Sequence, residues 1–358
     1  MKISVMLICL GLSIFLGVWG GYEKSKPNWW KLVLVLWLGL AIVLTFIPPL
    51  AGTYADAKLF PDSEEFSKSQ IYCSITSKQE FDDYYEFNIE SKKTFTLSKA
   101  NDSLPNVNSV LYVKKSDFNN SLESKQNLVL SVRYNKQFDR FDYLGTVSVA
   151  PLLTYPYIHA LKERIRNLNF HVPMHWISLI SFFIGMIFSI RYLRNPDPKN
   201  DIKAYSAILV GLLFAFMGTT TGMIWAKFNW GSFWNWDPRQ VTIFIIIMLY
   251  FAYFALRSAI EYPDKKAKLS AVYAIICFAT APFFYFVIPR MYSSLHPGAK
   301  NEDGVGPVID TQADMLDSSL ALTFYLSLGA LILLFFWIYN ITVRYQILQN
   351  KLKEAENV

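Results

Sequence analysis

The sequence predicts a mainly α-helical, polytopic membrane protein of about seven transmembrane helices, with a β-rich extracytoplasmic domain inserted after the second helix. Three observations predict it. Of 358 residues, 53% are hydrophobic and only 17% charged, too apolar for an ordinary soluble domain. Seven apolar runs approach the length needed to cross a hydrocarbon core about 30 Å thick. A polar stretch over residues 51–153 interrupts them with short segments of alternating pattern.

The runs are Ile3 to Trp19, Trp29 to Ile47, His171 to Ile190, Ala204 to Trp225, Val241 to Leu256, Leu269 to Ile288 and Leu320 to Tyr339. Loops rich and poor in basic residues alternate between them. Arg191, Arg194, Lys199 and Lys203 fill one, and Arg257, Lys265, Lys266 and Lys268 another, whereas Lys227 with Arg239, and Arg290 with Lys300, are sparse. The rich loops and the 344–358 tail are expected in the cytoplasm of a cell inner-membrane protein, which places residues 51–170 outside. The net charge of +6 is thereby explained by orientation in a bilayer, and nucleic acid is not an expected partner. Lys2 before the first run also suits a signal peptide, but cleavage would leave the next run pointing the wrong way, so an uncleaved helix is expected. Gly17 and Gly21, four residues apart, should allow close packing on another helix.

Residues 1–50 thus read as two N-terminal spans. In 51–153, the segments IYCSITS, YYEFNIES, TFTLS, SVLYVKK, NLVLSVRY and YLGTVSVAP read as strands of a small β-sandwich. Cys9, Cys73 and Cys277 imply no disulfide framework, and neither Cys-x-x-Cys-His nor a P-loop occurs. Residues 154–170 place Ile158, Leu161, Ile165 and Leu168 opposite Lys162, Glu163 and Arg166, the pattern of an amphipathic helix on the membrane surface. Residues 171–343 form a five-helix membrane domain.

All four histidines, His159, His171, His175 and His296, fall in segments assigned to the outer side or its boundary. On the same side, residues 225–240 read WAKFNWGSFWNWDPRQ, with Trp225, Trp230, Trp234 and Trp236 beside Phe228 and Phe233. An interfacial aromatic belt needs one or two aromatics per helix end, and does not call for Gly231 to bend the chain or for Asp237, Pro238 and Arg239 to follow. A flat iron-bearing macrocycle does call for such a set: aromatic faces to stack on, neutral imidazole for iron, and a cation for propionates.

The segment WGSFWNWD resembles the tryptophan-rich signature of the heme-handling membrane proteins of cytochrome c maturation, nearest the heme exporter C (CcmC) family. The family's flanking His-Val-Pro and Leu-His-x-Gly segments are matched by RNLNFHVPMHW and MYSSLHPG, and the resemblance runs from about Arg164 to Val343. It implies that His171 and His296 ligate the iron of heme b as a bis-histidine pair, and that Trp230, Gly231, Trp234, Trp236 and Asp237 form the heme platform, with Trp225 and Phe233 alongside. Phe233 stands where the family often has Trp. With a helix starting around Pro173, His171 sits at its mouth and His175 within its first turns, as a packing residue or an alternative ligand. By charge and position, Arg239, Lys227, Arg164 and Arg166 are candidates for the propionates.

The implied function is heme binding at the extracytoplasmic surface and presentation to a periplasmic heme chaperone, alongside a small membrane subunit and an ABC transporter. This is transfer and not enzymatic turnover. Two alternatives remain at this point: a heme attachment synthetase of the related fused system, and a b-type redox cytochrome. The β-rich insert lies outside the family pattern.

Overall fold

Helix boundaries follow local chemistry. Asp197 caps the helix that begins at Pro198 by accepting from the Lys199 amide, Asp237 caps the one that begins at Pro238, and Pro263 opens a third, each proline using its fixed φ in a first turn. A computed structural model of the chain describes residues 2–52, 54–58, 68–91, 108–123, 126–157, 161–296 and 318–356. Its helices are α1 (Lys2–Val18), α2 (Asn28–Phe46), α3 (Tyr54–Lys58), α4 (Leu168–Arg194), α5 (Pro198–Trp230), α6 (Pro238–Ala259), α7 (Pro263–Pro282), a π-turn at Phe283–Val287, α8 (Ile288–Met291) and α9 (Ser318–Glu356).

Among the described residues, six helices are long and apolar enough to cross a membrane: Asn28–Phe46, Lys162–Arg194, Pro198–Trp230, Pro238–Ala259, Pro263–Met291 and Ser319–Glu356. The protein is therefore a multi-pass helical membrane protein. The expected seventh, α1, is an apolar helix of 17 residues, shorter than these six. Along α2 the exposed side chains Leu32, Val35, Leu36, Leu40 and Val43 are all apolar, a surface suited to lipid.

The chain divides into two compact units. One comprises Leu7–Ile42, Asn167–Met315 and Phe324–Val358. Within it, the buried Lys26 ammonium caps α1 by donating to the Gly17 carbonyl at 2.8 Å, the Trp30 indole donates to Leu16, and the Trp37 indole donates to Leu326 of α9. Gly17 packs on α9 as expected, since a Cβ there would meet the Phe336 ring at 2.0 Å. Gly21 does not: it has φ +70° and open space around it, and serves the turn between α1 and α2. Arg257 forks onto Asp201 at 2.7 and 2.8 Å, tying α6 to the start of α5. Residues 344–356, expected as a separate tail, continue the α9 helix.

The other unit is built mainly on Val43–Arg166. Five strands, β2 (Lys68–Glu80), β3 (Tyr84–Ser91), β4 (Asn108–Lys114), β5 (Leu128–Asn135) and β6 (Arg140–Val149), close into a barrel in the order β2-β3-β4-β6-β5, with β4 and β6 parallel. A sandwich was the expectation. The long β2 decides otherwise: its first half pairs with β5 and its second with β3, its register shifts between Ile75 and Ser77, and such an irregularity bends the strand to join both edges. Ile71, Cys73, Phe87, Ile89, Leu111, Leu130 and Phe141 fill the interior. The expected strand TFTLS lies outside the described residues. Short strands β1 (Leu50–Ala51) and β7 (Tyr155–Pro156) pair in parallel beside the barrel sequence.

The described residues of 154–170 do not show the expected surface helix. Strand β7 is followed by a 3-10 turn, Lys162–Asn167, that leads directly into α4, while His159 lies outside the described residues. Arg166, expected on the polar face, turns inward and donates to the Thr45 and Pro48 carbonyls at 2.7 and 2.8 Å, satisfying the end of α2.

Candidate functional site

The 3-10 turn supplies the first turn that Pro173 was expected to provide, so α4 begins at Leu168 and Pro173 lies inside it. His171 is consequently within α4 and not at its mouth, and His175 is one turn further along the same face. Both rings face glycines of α5. A Cβ on Gly222 would stand 2.6 Å from His171 Cε1, and one on Gly218 would stand 2.9 Å from His175 Cε1 and Nε2. His171 donates from Nδ1 to the Gly218 carbonyl at 2.9 Å. Its Nε2 then carries the lone pair. The two rings stand edge to face with centroids 4.9 Å apart.

Asp237 organises the other side. Its carboxylate, 3% exposed, caps α6 through the Arg239 amide at 2.9 Å and also accepts from the Ser294 hydroxyl and Leu295 amide at 2.8 Å and from His296 Nδ1 at 3.0 Å. This clamp joins the α5–α6 loop to the segment after α8, and it leaves Nε2 of His296 without a hydrogen bond among the described residues. Burial would raise the Asp237 carboxyl, but the His296 hydrogen bond and charge, with those from Ser294 and the Arg239 amide, outweigh it and hold the group well below the usual carboxylate range. Burial pushes the His296 imidazole below its ordinary value, opposed by the bond to Asp237. The neutral ring is the form that binds iron.

Both groups have depressed folded pKa values, so each contributes stability that is complete above its unfolded value and is lost as pH falls through the folded one. The neutral His296 ring, the form available to a metal, should therefore persist from pH 8 to about 6.5, the ordinary histidine value, and protonate only below it. A Soret titration of hemin-loaded protein checks this; retention that falls between pH 8 and 7 would contradict it.

The aromatic residues divide into two groups. Helix α5 extends through Trp230, so the tryptophan-rich segment expected as a loop over 225–240 is a loop only between Gly231 and Asp237. Gly231 ends α5 with φ +80°, a left-handed conformation that glycine adopts without strain. Trp225 and Trp230 surround His296, the first near-parallel at 6.1 Å and 25°, the second at 4.8 Å and 72°. Trp234 instead contacts Trp236 and Phe244. Trp236, 75% exposed, has φ +55°, and Phe233 is also exposed. A bulky residue held in that region carries strain that surrounding structure must impose.

Of the four candidate cations, three are engaged in capping. Lys227 donates to the Gly231 carbonyl, Arg164 to the Leu161 carbonyl, and Arg166 to the end of α2. The guanidinium of Arg239 has no hydrogen bond or ion pair among the described residues, and it stands within electrostatic reach of both His171 and His296.

The donor set fits a heme. The His171 and His296 imidazoles each have Nδ1 held by a protein acceptor, which fixes the neutral tautomer with the lone pair on Nε2. No group of three or more His, Cys, Asp or Glu is gathered for a bare metal ion among the described residues, whereas a porphyrin supplies four donors itself and asks for two.

A sequence profile described as heme exporter protein C matches residues 143–357, more than half of the chain. The chain belongs to the heme exporter protein C family. Similar proteins of this name are those of Bradyrhizobium diazoefficiens, 26% identical over 192 residues (54% of this chain, 70% of the relative), and Paracoccus denitrificans, 25% identical over 188 residues (52% and 75%). The cytochrome c biogenesis protein CcsA of Zea mays is 27% identical over 170 residues (47% of each chain). Membership places this family member in heme handling for cytochrome c biogenesis. The matched region contains the histidines, Trp225, Trp230, Trp234, Trp236 and Asp237; α1, α2 and most of the barrel precede it.

Sequence reasoning missed Gly218, Gly222 and Ser294. The glycines carried a signal, a Gly-x-x-x-Gly on α5 matching the four-residue spacing of His171 and His175 on α4.

Proposed function

We propose that this protein binds heme b at the extracytoplasmic surface of the inner membrane and presents it to a periplasmic heme chaperone. The observation that carries the reading is the pair of imidazoles whose Nδ1 atoms are engaged, His171 by Gly218 and His296 by Asp237, leaving two neutral Nε2 donors, one within α4 and one in the segment after α8. His171 and His296 are the axial ligands. Trp225 and Trp230 provide the aromatic shelf, Gly231, Phe233, Trp234 and Trp236 shape the loop above it, and Arg239 pairs with a propionate.

The roles divide by chemistry. Asp237 orients His296 and raises its basicity, Gly218 and Gly222 keep room for the α4 imidazoles, and the exposed Phe233 and Trp236 leave an aromatic edge where an acceptor can approach. The work these roles describe is transfer. Alternation of basic loops supports an outward site with a cytoplasmic C-terminus, and the barrel then serves as an extracytoplasmic insert. A small membrane subunit and an ABC transporter complete the expected assembly.

Mixing the hemin-loaded full chain with the soluble domain of a periplasmic heme chaperone tests presentation. Heme should leave the membrane protein and copurify with the chaperone. Heme that remains entirely with the membrane protein would overturn the acceptor assignment.

A further inference from the structure

The face of α4 that meets α5 carries two histidines, each opposite its own glycine. His171 faces Gly222 and His175 faces Gly218, so one arrangement is repeated a helical turn along. The repeats differ in one respect. His171 Nδ1 is held by the Gly218 carbonyl, whereas on the His175 ring, which the Gly218 backbone also reaches, Nδ1 is buried without a hydrogen-bond partner among the described residues. A buried polar nitrogen left unsatisfied opposes folding, and an apolar side chain would fill the space without that penalty. Nearby polar groups do not relieve it: the Tyr285 hydroxyl is paired with Ser178 Oγ at 2.6 Å, and Ser178 also bonds the His175 carbonyl at 2.8 Å. Tyr285 lies in the π-turn, an irregularity frequent at functional sites. Its ring stands 6.4 Å from His175.

We propose that His175 is a second iron-ligating histidine, able to take the α4-side axial position in place of His171, so that heme iron can be held at two levels one turn apart along α4. This rests on the heme reading above. The exchange is a ligand substitution: one imidazole nitrogen–iron bond forms as another breaks, both rings stay neutral, and the oxidation state of iron is unchanged. The 4.9 Å between ring centroids is short enough for the same porphyrin to be passed between them.

The test uses the full chain in detergent with added hemin, comparing wild type, H171A, H171A/H175A and H171A/H175M by absorption and electron paramagnetic resonance. H171A should bind hemin at least about tenfold more weakly, comparable to losing an important metal-site partner, yet give a low-spin, six-coordinate complex. H171A/H175A should lose that low-spin species. H171A/H175M should show the charge-transfer band of thioether-ligated ferric heme, a signature that a packing role would not produce. If H171A binds no hemin or gives the same high-spin spectrum as both double variants, the proposal is overturned. Wild type that binds no heme would overturn the heme reading itself, which distinguishes the two failures.

Discussion

Replacing His296 with alanine is expected to lower heme occupancy of the purified protein by about 100-fold or more, the upper end of what an altered metal-site partner costs. Trp225 and Trp230 pack around this ring, and the only other described histidines, His171 and His175, both lie on α4, so nothing replaces it on its own side. His171→Ala should also deplete heme, by at least about tenfold, with His175 one turn away to limit the loss. Pyridine hemochrome assay per mole of protein measures both. Occupancy equal to wild type in either variant would remove that residue from the ligand set.

Asp237→Asn should lower heme affinity by about 10- to 100-fold and move the iron midpoint potential upward. Asparagine remains a good helix cap, so the start of α6 is preserved. What is lost is the anion that His296 Nδ1 donates to. The carboxylate accepts from four donors, two on each oxygen, and an amide nitrogen in place of one oxygen would face N–H or O–H donors with a donor of its own. The His296 ring then loses both its fixed orientation and part of its basicity. Hemin titration and spectroelectrochemistry read these separately; unchanged affinity and potential would mean that Asp237 serves only as a cap.

Much of this was legible in the sequence because its signals are local. Uncharged runs of membrane length and the WGSFWNWD segment between two histidine motifs require no knowledge of tertiary contacts. What was not legible depends on pairing across the chain. The alternation in 68–149 marks strands, but whether β2 bends to join β3 and β5 into a barrel depends on its register. Arg166 looked like a surface charge because its partners, Thr45 and Pro48, are more than a hundred residues away. The same holds for Asp237. The resemblance placed it in the heme platform, while its bond to His296 spans 59 positions. The split of the aromatic segment, with Trp225 and Trp230 on one side and Trp234 with Phe244 on another, follows from α5 continuing to Trp230.

The most direct measurement is the absorption spectrum of the detergent-purified full chain supplied with hemin, oxidised and reduced, beside the His171→Ala/His296→Ala double variant. The account predicts a low-spin bis-histidine heme spectrum in the wild type that disappears in the double variant. A wild type without bound heme, or one whose spectrum is unchanged in the double variant, would contradict it.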